Sequence, residues 1–95
     1  GCMSVYRLIL KKKAEKDIAI ITKSASTAVR NKLAVIFSEL QVHPTWGIGH
    51  PEELRGDLSG FYSRQLDKKN RIIYSIHDDV VEVHIISLLG HYSDR

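Results

Sequence analysis

The sequence predicts an α+β domain with the order βααβββ, in which two N-terminal helices pack on one face of a mainly antiparallel sheet. Apolar residues recur at helical spacing between residues 12 and 42, and they alternate at strand spacing in the second half of the chain. A long loop without periodicity separates the two regions. Helices that precede a run of strands are typical of α+β folds, so we expect them to cover one sheet face and to leave the other face open to a ligand.

The first elements are a strand and a short helix. Val5 to Leu10 is rich in strand-forming residues and alternates in polarity, which predicts a strand. The segment from about Lys12 to Thr22 has apolar residues four and three positions apart, namely Ala14, Ile18 and Ile21. This spacing predicts an amphipathic helix, and the run Lys11-Lys12-Lys13 is expected to be its solvated start.

The second helix begins after a cluster of hydroxyl residues, Ser24-Ala25-Ser26-Thr27, which supplies side chains for an N-cap. The following apolar residues form one stripe at helical spacing: Val29, Leu33, Ile36, Phe37 and Leu40. This stripe predicts a helix that ends before His43, which we expect to be a solvated loop residue.

Residues 43 to 60 hold both prolines and four of the six glycines, which predicts a loop of about eighteen residues. Long connections of this kind in compact domains are usually functional. Three strands are predicted after it: about Phe61 to Leu66, about Arg71 to Ile76 and about Val80 to Leu88. The polar links between them have hairpin length, so these strands are expected to form an antiparallel meander.

The size and composition restrict the class of protein. A chain of 95 residues supplies one core of ordinary size, so a single domain is expected over residues 1 to 95. One cysteine, Cys2, excludes an intramolecular disulfide and a multi-thiolate zinc site, which favours a cytoplasmic location. No apolar stretch has the length of a membrane span, and no signal peptide is predicted. We expect Gly1, with or without Cys2, to be a cloning remnant ahead of a natural start at Met3.

The charge is unevenly distributed along the chain. Residues 1 to 45 carry eight basic and three acidic side chains, whereas residues 46 to 95 carry six basic and eight acidic ones. The net charge of +3 therefore comes from the first half. A basic surface of this kind is suited to a polyanionic partner.

Two familiar kinds of site are not supported by their sequence context. Gly47-Ile48-Gly49 lacks the third glycine and the strand-to-helix setting of a dinucleotide site, and no P-loop Lys follows it. His77-Asp78-Asp79 and His84 could be proposed as metal ligands, but a polar hairpin turn needs no metal. Glu82 and His84 alternate with Val81, Val83 and Ile85, so we expect them on an exposed polar face of the last strand.

One set of motifs carries family information. Residues 47 to 64 read GIGHPEELRGDLSGFYSR, residues 70 to 74 read NRIIY, and His91-Tyr92 stands almost at the end. These motifs, in this order, resemble those of the YoeB (Txe) family of bacterial toxins in the RelE/ParE superfamily. Their joint presence is far more specific than any one of them. The resemblance covers about residues 44 to 92.

The resemblance implies the α+β toxin fold and a ribosome-dependent endoribonuclease that cleaves messenger RNA in the decoding site. It implies no metal or other cofactor. It also implies a cognate, YefM-like antitoxin that holds the enzyme inactive, and homodimers occur in the family.

The resemblance also assigns residues. The glutamate of its Pro-Glu motif is Glu52, so Glu53 is the weaker candidate, and its phosphate-binding arginine is Arg71. The terminal pair is His91 and Tyr92. Two further basic positions are expected to hold ribosomal or messenger phosphates: Arg55 and Arg64.

The chemistry of these residue types agrees with that assignment. RNA cleavage without a metal needs a base for the 2′-OH proton, a cation for the transition-state charge and an acid for the leaving 5′-oxygen. Glu, Arg and His supply these roles, and Tyr92 can stack on a base or donate a hydrogen bond. Further stacking candidates are Trp46, Phe61 and Tyr62.

The chain departs from the family pattern at Leu89-Gly90, at Gln65 and in the final Ser93-Asp94-Arg95. Two other functions remain open on the sequence. One is a protein-binding inhibitor of the gyrase-poisoning ParE type, which has no need of an acid, a base and a cation together. The other is a non-catalytic RNA-binding module, which would need the basic surface but not His91.

Overall fold

The computed structural model describes residues 5 to 89. The elements in chain order are β1 (Arg7–Leu10), α1 (Lys12–Ser24), α2 (Thr27–Val42), β2 (Glu52–Glu53), a 3₁₀ helix (Gly56–Leu58), β3 (Tyr62–Gln65), β4 (Arg71–His77) and β5 (Glu82–Ser87). The predicted helices and the four predicted strands are all present, with ends shifted by up to two residues. The α+β fold class is confirmed.

The five strands form one sheet in the order β1-β5-β4-β3-β2. β1 pairs with β5 in parallel, and the other three pairings are antiparallel. β1 and β5 are neighbours because the two helices carry the chain across the sheet between β1 and the meander. The difference from the prediction lies in residues 43 to 60, which contain β2 and the 3₁₀ helix in addition to loop.

The core lies between the helices and one face of the sheet. The helices contribute Ala14, Ile21, Leu33, Ile36 and Leu40, and the sheet side contributes Leu66, Ile72, Tyr74, Val83, Ile85 and Leu88. Every one of these residues is at most 8% exposed. The predicted helical stripes therefore face the sheet, because residues three and four apart lie on the same side of a helix.

The second helix begins where the hydroxyl cluster predicts. Ser26 is its N-cap, and the Ser26 side chain accepts a hydrogen bond from the Val29 backbone N–H at 3.2 Å. This contact satisfies one of the amide groups that the first turn of a helix leaves without a partner.

Neither helix in residues 5 to 89 is long and apolar enough to cross a membrane.

Candidate active site

The sheet face opposite the helices carries a row of polar side chains. The strand register places Glu52 beside Ser63 and Gln65 beside Arg71, and it places Arg7, Glu82 and His77 in line across three strands. Alternate residues of a strand point to opposite faces, so these residues share the face that the core does not use. We call this face, which lies opposite α1 and α2, the open face; two residues near its centre, Ser63 and Ile73, are buried, at 0% and 6% exposed.

Glu52 lies on the edge strand β2 and is exposed. Its partner in the register is Ser63, an open-face residue, whereas the neighbouring Glu53 pairs with Tyr62 and points to the helix side. Two adjacent carboxylates with the same exposure therefore lie on different sides of the sheet. The structure gives this physical reason for treating them differently.

Arg71 opens β4 and is half-buried on the open face opposite Gln65. Glu52 on β2 is opposite Ser63 on β3, which is opposite Ile73 on β4, and Arg71 lies two residues from Ile73 along β4. Strand spacing and rise per residue place the Glu52 and Arg71 Cα atoms roughly 12 Å from each other. The two predicted catalytic residues within the described part of the chain, Glu52 and Arg71, therefore lie on the same face of the sheet.

The other two predicted catalytic residues, His91 and Tyr92, lie outside the described residues. The strand that leads to them, β5, ends at Ser87, which pairs with Ile73. Ile73 is two residues from Arg71 along β4.

The position of Arg64 contradicts the RNA contact expected of it. Its side chain is 0% exposed, and its guanidinium is held by the Glu39 carboxylate at 2.6 Å, with Nη2 donating to the carbonyl oxygens of His43 at 3.0 Å and Trp46 at 2.8 Å. The register places Arg64 opposite Ile72, on the helix face. A guanidinium enclosed in this way cannot reach a phosphate, so the expected RNA contact from Arg64 is wrong for this structure.

The Arg64 network determines the path of the chain into the site. Nη1 of Arg64 also donates to the Ile48 carbonyl at 3.4 Å, and the Tyr74 hydroxyl donates to the Pro44 carbonyl at 2.7 Å. Burial raises the pKa of Tyr74, against the smaller lowering effect of Arg64. These bonds fix residues 43 to 48, which lead into β2 and Glu52. The sequence could not reveal the network, because Glu39 is 25 positions from Arg64.

The glycines before β2 fit this network closely. A Cβ on Gly47 would stand 2.1 Å from the Glu39 Oε1 atom, and one on Gly49 would stand 2.8 Å from the Gln65 carbonyl oxygen. Both glycines have positive φ, 135° and 83°. The Gly-Ile-Gly segment thus serves close packing between this loop and β3, because only glycine fits at these two positions.

Arg55 is exposed, as a phosphate-binding residue must be. It lines a cleft of about 340 Å³ beside β2, together with Glu53, Leu54, Gly56 and Ser59. The cleft contains neither Glu52 nor Arg71. Arg55 therefore lies next to the candidate site rather than within it, and its RNA contact stays a prediction.

The three aromatic candidates have different environments. Trp46 is 64% exposed and stacks on His43, with ring centroids 3.7 Å apart. His43 is thus not a solvated loop residue, and its Nδ1 lies 2.8 Å from the Trp46 carbonyl oxygen. Tyr62 stacks on buried Tyr74 on the helix side, so the expected RNA stacking by Tyr62 does not fit its position. Phe61 is half-buried.

A second polar cluster occupies the opposite end of the open face. The rings of His77 and His84 are 4.0 Å apart, and Glu82 accepts from His84 and pairs with Arg7. The His84 hydrogen bond, with the pair to Arg7, lowers the pKa of Glu82. These side chains lie on the predicted polar face of β5, but His84 and Glu82 are only about one-fifth exposed because they contact each other. Within residues 5 to 89, no three His, Cys, Asp or Glu side chains are grouped as metal ligands.

Comparison with known proteins identifies the family. A family model described as "YoeB-like toxin of bacterial type II toxin-antitoxin system" matches residues 10 to 92. The Toxin YoeB of Mycobacterium bovis is 36% identical over 69 residues, which are 73% of this chain and 79% of the relative.

Solved structures agree on the fold. The YoeB/ParE toxin from Agrobacterium tumefaciens superposes with a TM-score of 0.82 at 22% identity, over 90% of this chain and 99% of that one. Two Staphylococcus aureus structures, a heterotetrameric YoeB–YefM complex and a YoeB dimer, give 0.76 and 0.78 at 24% identity, over 92% of this chain and 98% of theirs. The resemblance drawn from the motifs is confirmed, and the chain belongs to the family of YoeB-like toxins of bacterial type II toxin-antitoxin systems.

Proposed function

We propose that this toxin is a ribosome-dependent endoribonuclease that cleaves messenger RNA in the decoding site without a metal ion. The observation that supports the proposal most is the common open face of Glu52 and Arg71. A guanidinium on this face can bind a phosphodiester, and a carboxylate on the same face can accept the proton of the adjacent 2′-OH. A surface used only to bind a protein has no need of this pairing.

The proposed roles follow from the charges that RNA cleavage develops. Glu52 takes the proton of the 2′-OH, which then attacks the adjacent phosphorus. Arg71 stabilises the charge that builds up on the phosphate oxygens, and a guanidinium can do so through two hydrogen bonds at once. His91 donates a proton to the leaving 5′-oxygen, and Tyr92 positions the nucleotide. The products are a 2′,3′-cyclic phosphate and a free 5′-OH, so the reaction needs no water in this step.

The test compares two neighbouring carboxylates that lie on different sides of the sheet. Purified toxin is mixed with ribosomes programmed with a defined messenger, and cleavage is followed by primer extension. Glu52→Gln should slow cleavage by about 10² to 10⁴-fold, the usual contribution of a positioned base. Glu53→Gln is the matched control and should cleave within about twofold of the wild type.

Three outcomes would contradict the proposal. Wild-type toxin that binds ribosomes but leaves the messenger intact would favour a non-catalytic RNA-binding module. Loss of gyrase activity without messenger cleavage would favour the ParE-type inhibitor. Equal effects of the two Glu→Gln substitutions would remove Glu52 from its proposed role.

The proposed partner is a YefM-like antitoxin. The S. aureus YoeB whose fold this chain shares is found in a complex with YefM and also as a dimer. We propose the same two kinds of assembly here, antitoxin-bound and homodimeric, and a site of action in the cytoplasm, where ribosomes are.

A further inference from the structure

One aromatic side chain of the loop before β2 faces solvent. Trp46 is 64% exposed, whereas every other aromatic residue between 5 and 89 is half-buried or buried. The indole stacks on the His43 ring, with centroids 3.7 Å apart and planes 12° from parallel. Because His43 covers one face of a ring that is this exposed, the second face is open. An open, flat aromatic face is the kind of surface on which an unpaired nucleobase stacks.

The backbone that carries this aromatic pair is held in place. The Trp46 carbonyl accepts hydrogen bonds from Nδ1 of His43 at 2.8 Å and from Nη2 of Arg64 at 2.8 Å, and the same Nη2 donates to the His43 carbonyl at 3.0 Å. Arg64 is itself buried and paired with Glu39. The backbone therefore has little freedom left to lose when a ligand stacks on the indole, which lowers the entropic cost of binding.

The charges around the indole are compatible with an RNA backbone. No Asp or Glu occurs between Glu39 and Glu52, and the Glu39 carboxylate is paired with Arg64. The chain that leads into this loop, residues 1 to 45, carries eight basic and three acidic side chains. Phosphates on either side of a stacked base would thus meet no unpaired carboxylate from this segment.

The loop also places Trp46 within reach of the candidate site. The Gly49 carbonyl accepts the Gln65 N–H at 2.6 Å, and Gln65 pairs with Arg71 across β3 and β4. Three residues separate Trp46 from Gly49, so chain length and strand spacing keep the Trp46 Cα within about 22 Å of the Arg71 Cα. A few nucleotides of a single strand cover that distance.

Two aliphatic side chains near Trp46 in the chain are also exposed, Val42 at 46% and Ile48 at 40%. A protein partner would bury such aliphatic groups together with the indole, whereas a stacked base needs only the aromatic face. The parallel stack with His43 and the absence of acidic residues in the segment favour the base.

We propose that Trp46, supported by His43, is a stacking site for an unpaired nucleobase of the RNA that the toxin meets on the ribosome. The inference deepens the proposed function, on which it rests, because it adds an RNA contact outside the Glu52–Arg71 face. Trp46 takes no part in the chemical step.

The test measures how tightly the toxin binds ribosomes. Fluorescently labelled toxin is titrated with ribosomes, and the half-saturating concentration is read from anisotropy. Trp46→Ala should raise that concentration by about 5- to 140-fold, the loss expected for one stacked base, and Trp46→Phe, which keeps an aromatic ring, should stay within about fivefold of the wild type. Val42→Ala is the matched control at an exposed apolar position and should change it by less than about twofold.

Two ribosome samples identify the source of the base. Empty ribosomes offer ribosomal RNA alone, and programmed ribosomes offer the messenger as well. A Trp46→Ala defect of the same size on both would assign a ribosomal base, and a defect on programmed ribosomes alone would assign a messenger base. In either case the cleavage rate constant at saturating programmed ribosomes should stay within about twofold of the wild type, because the chemical groups are intact.

Trp46 is the only tryptophan of the chain, so its fluorescence gives a second readout on the wild-type protein. A short single-stranded 2′-O-methyl RNA has no free 2′-OH and is not cleaved. Its binding should quench Trp46, whereas an RNA of the same length with abasic nucleotides has the same charge and should not. Unchanged fluorescence with the base-bearing RNA bound would overturn the stacking site, even if Trp46→Ala does not fold.

The remaining outcomes separate this inference from the proposed function. Folded Trp46→Ala that binds ribosomes as the wild type does, while both cleave the messenger, would overturn the stacking site alone. Equal losses of binding in Trp46→Ala, Val42→Ala and Ile48→Ala would overturn it in favour of a protein contact. Wild type that binds ribosomes through Trp46 without cleavage would overturn the proposed chemistry and leave the stacking site in place.

Discussion

Single residues show most clearly where sequence reasoning succeeds and where it fails. Glu52 and Arg71 stand out because their motifs lie at fixed places relative to the strands, and the register then brings them to one face. Arg64 also belongs to a motif, but its partner Glu39 lies on α2 and the carbonyls that it contacts belong to a loop. Spacing along the chain does not reveal such contacts. An arginine in a buried ion pair therefore cannot be distinguished from a solvated arginine by sequence alone. The buried Asp17 carboxylate is a similar case, because the Leu88 amide that donates to it is 71 positions away along the chain.

The first prediction concerns the stability contributed by Arg64. Arg64→Met should lower the free energy of unfolding by about 3 to 5 kcal/mol, because it leaves Glu39 and several carbonyl groups without their donor. Urea denaturation followed by circular dichroism measures the change. Arg55→Met, at an exposed position, is the control and should stay within about 0.5 kcal/mol of the wild type. A normal urea midpoint for Arg64→Met with weakened ribosome binding would instead restore the RNA contact first expected of Arg64.

At the scale of elements, periodicity predicted the helices and the meander, whereas contacts between distant segments were not predicted. β2 has two residues, too few for any alternation to be detected, and its place is set by pairing with β3. The parallel pairing of β1 with β5 joins segments about 75 positions apart. The register between β4 and β5 also shifts, since Ile73 pairs with Ser87 while the next residue, Tyr74, pairs with Ile85, and no sequence pattern marks this shift.

The second prediction tests the start of α2. Ser26→Ala removes the side-chain acceptor for the Val29 amide and should cost about 1 kcal/mol of stability, visible as a lower melting temperature. Ser38→Ala is the same substitution at an exposed position within the same helix. It should leave stability unchanged or raise it by a few tenths of a kcal/mol, because alanine is the better helix former. If both variants melt alike, the N-cap contributes nothing measurable.

At the scale of the whole molecule, the basic surface and the candidate site lie on different sides of the sheet. The exposed lysines of α1 lie on the helix layer, and Glu52 and Arg71 lie on the other side of the sheet. This separation allows one partner to be captured electrostatically on the basic layer while a second segment of it covers the site. An acidic, partly disordered antitoxin tail is the kind of partner that would fit both surfaces.

The third prediction follows from that arrangement. The association rate constant with the cognate antitoxin should fall steeply as salt increases, while dissociation changes little, because surface charges steer encounter and buried contacts determine lifetime. Stopped-flow mixing across a salt series measures both rates. Lys12→Gln combined with Lys16→Gln should reduce the salt dependence, and Lys68→Gln with Lys69→Gln, on the β3–β4 link, is the charge-matched control. An association rate that does not respond to salt would contradict electrostatic capture.

The most direct measurement of the central claim, that Glu52 and Arg71 act on one phosphodiester, is a double-mutant comparison. Single-turnover cleavage on programmed ribosomes is measured for wild type, Glu52→Gln, Arg71→Met and the double variant, with folding checked by circular dichroism. If the two groups act as one unit on a single phosphodiester, removing either one removes most of the effect of the other, so the double variant should be about as slow as the slower single variant. A wild-type toxin that leaves the messenger uncut, or a double variant whose loss is the full product of the two single losses, would contradict the account.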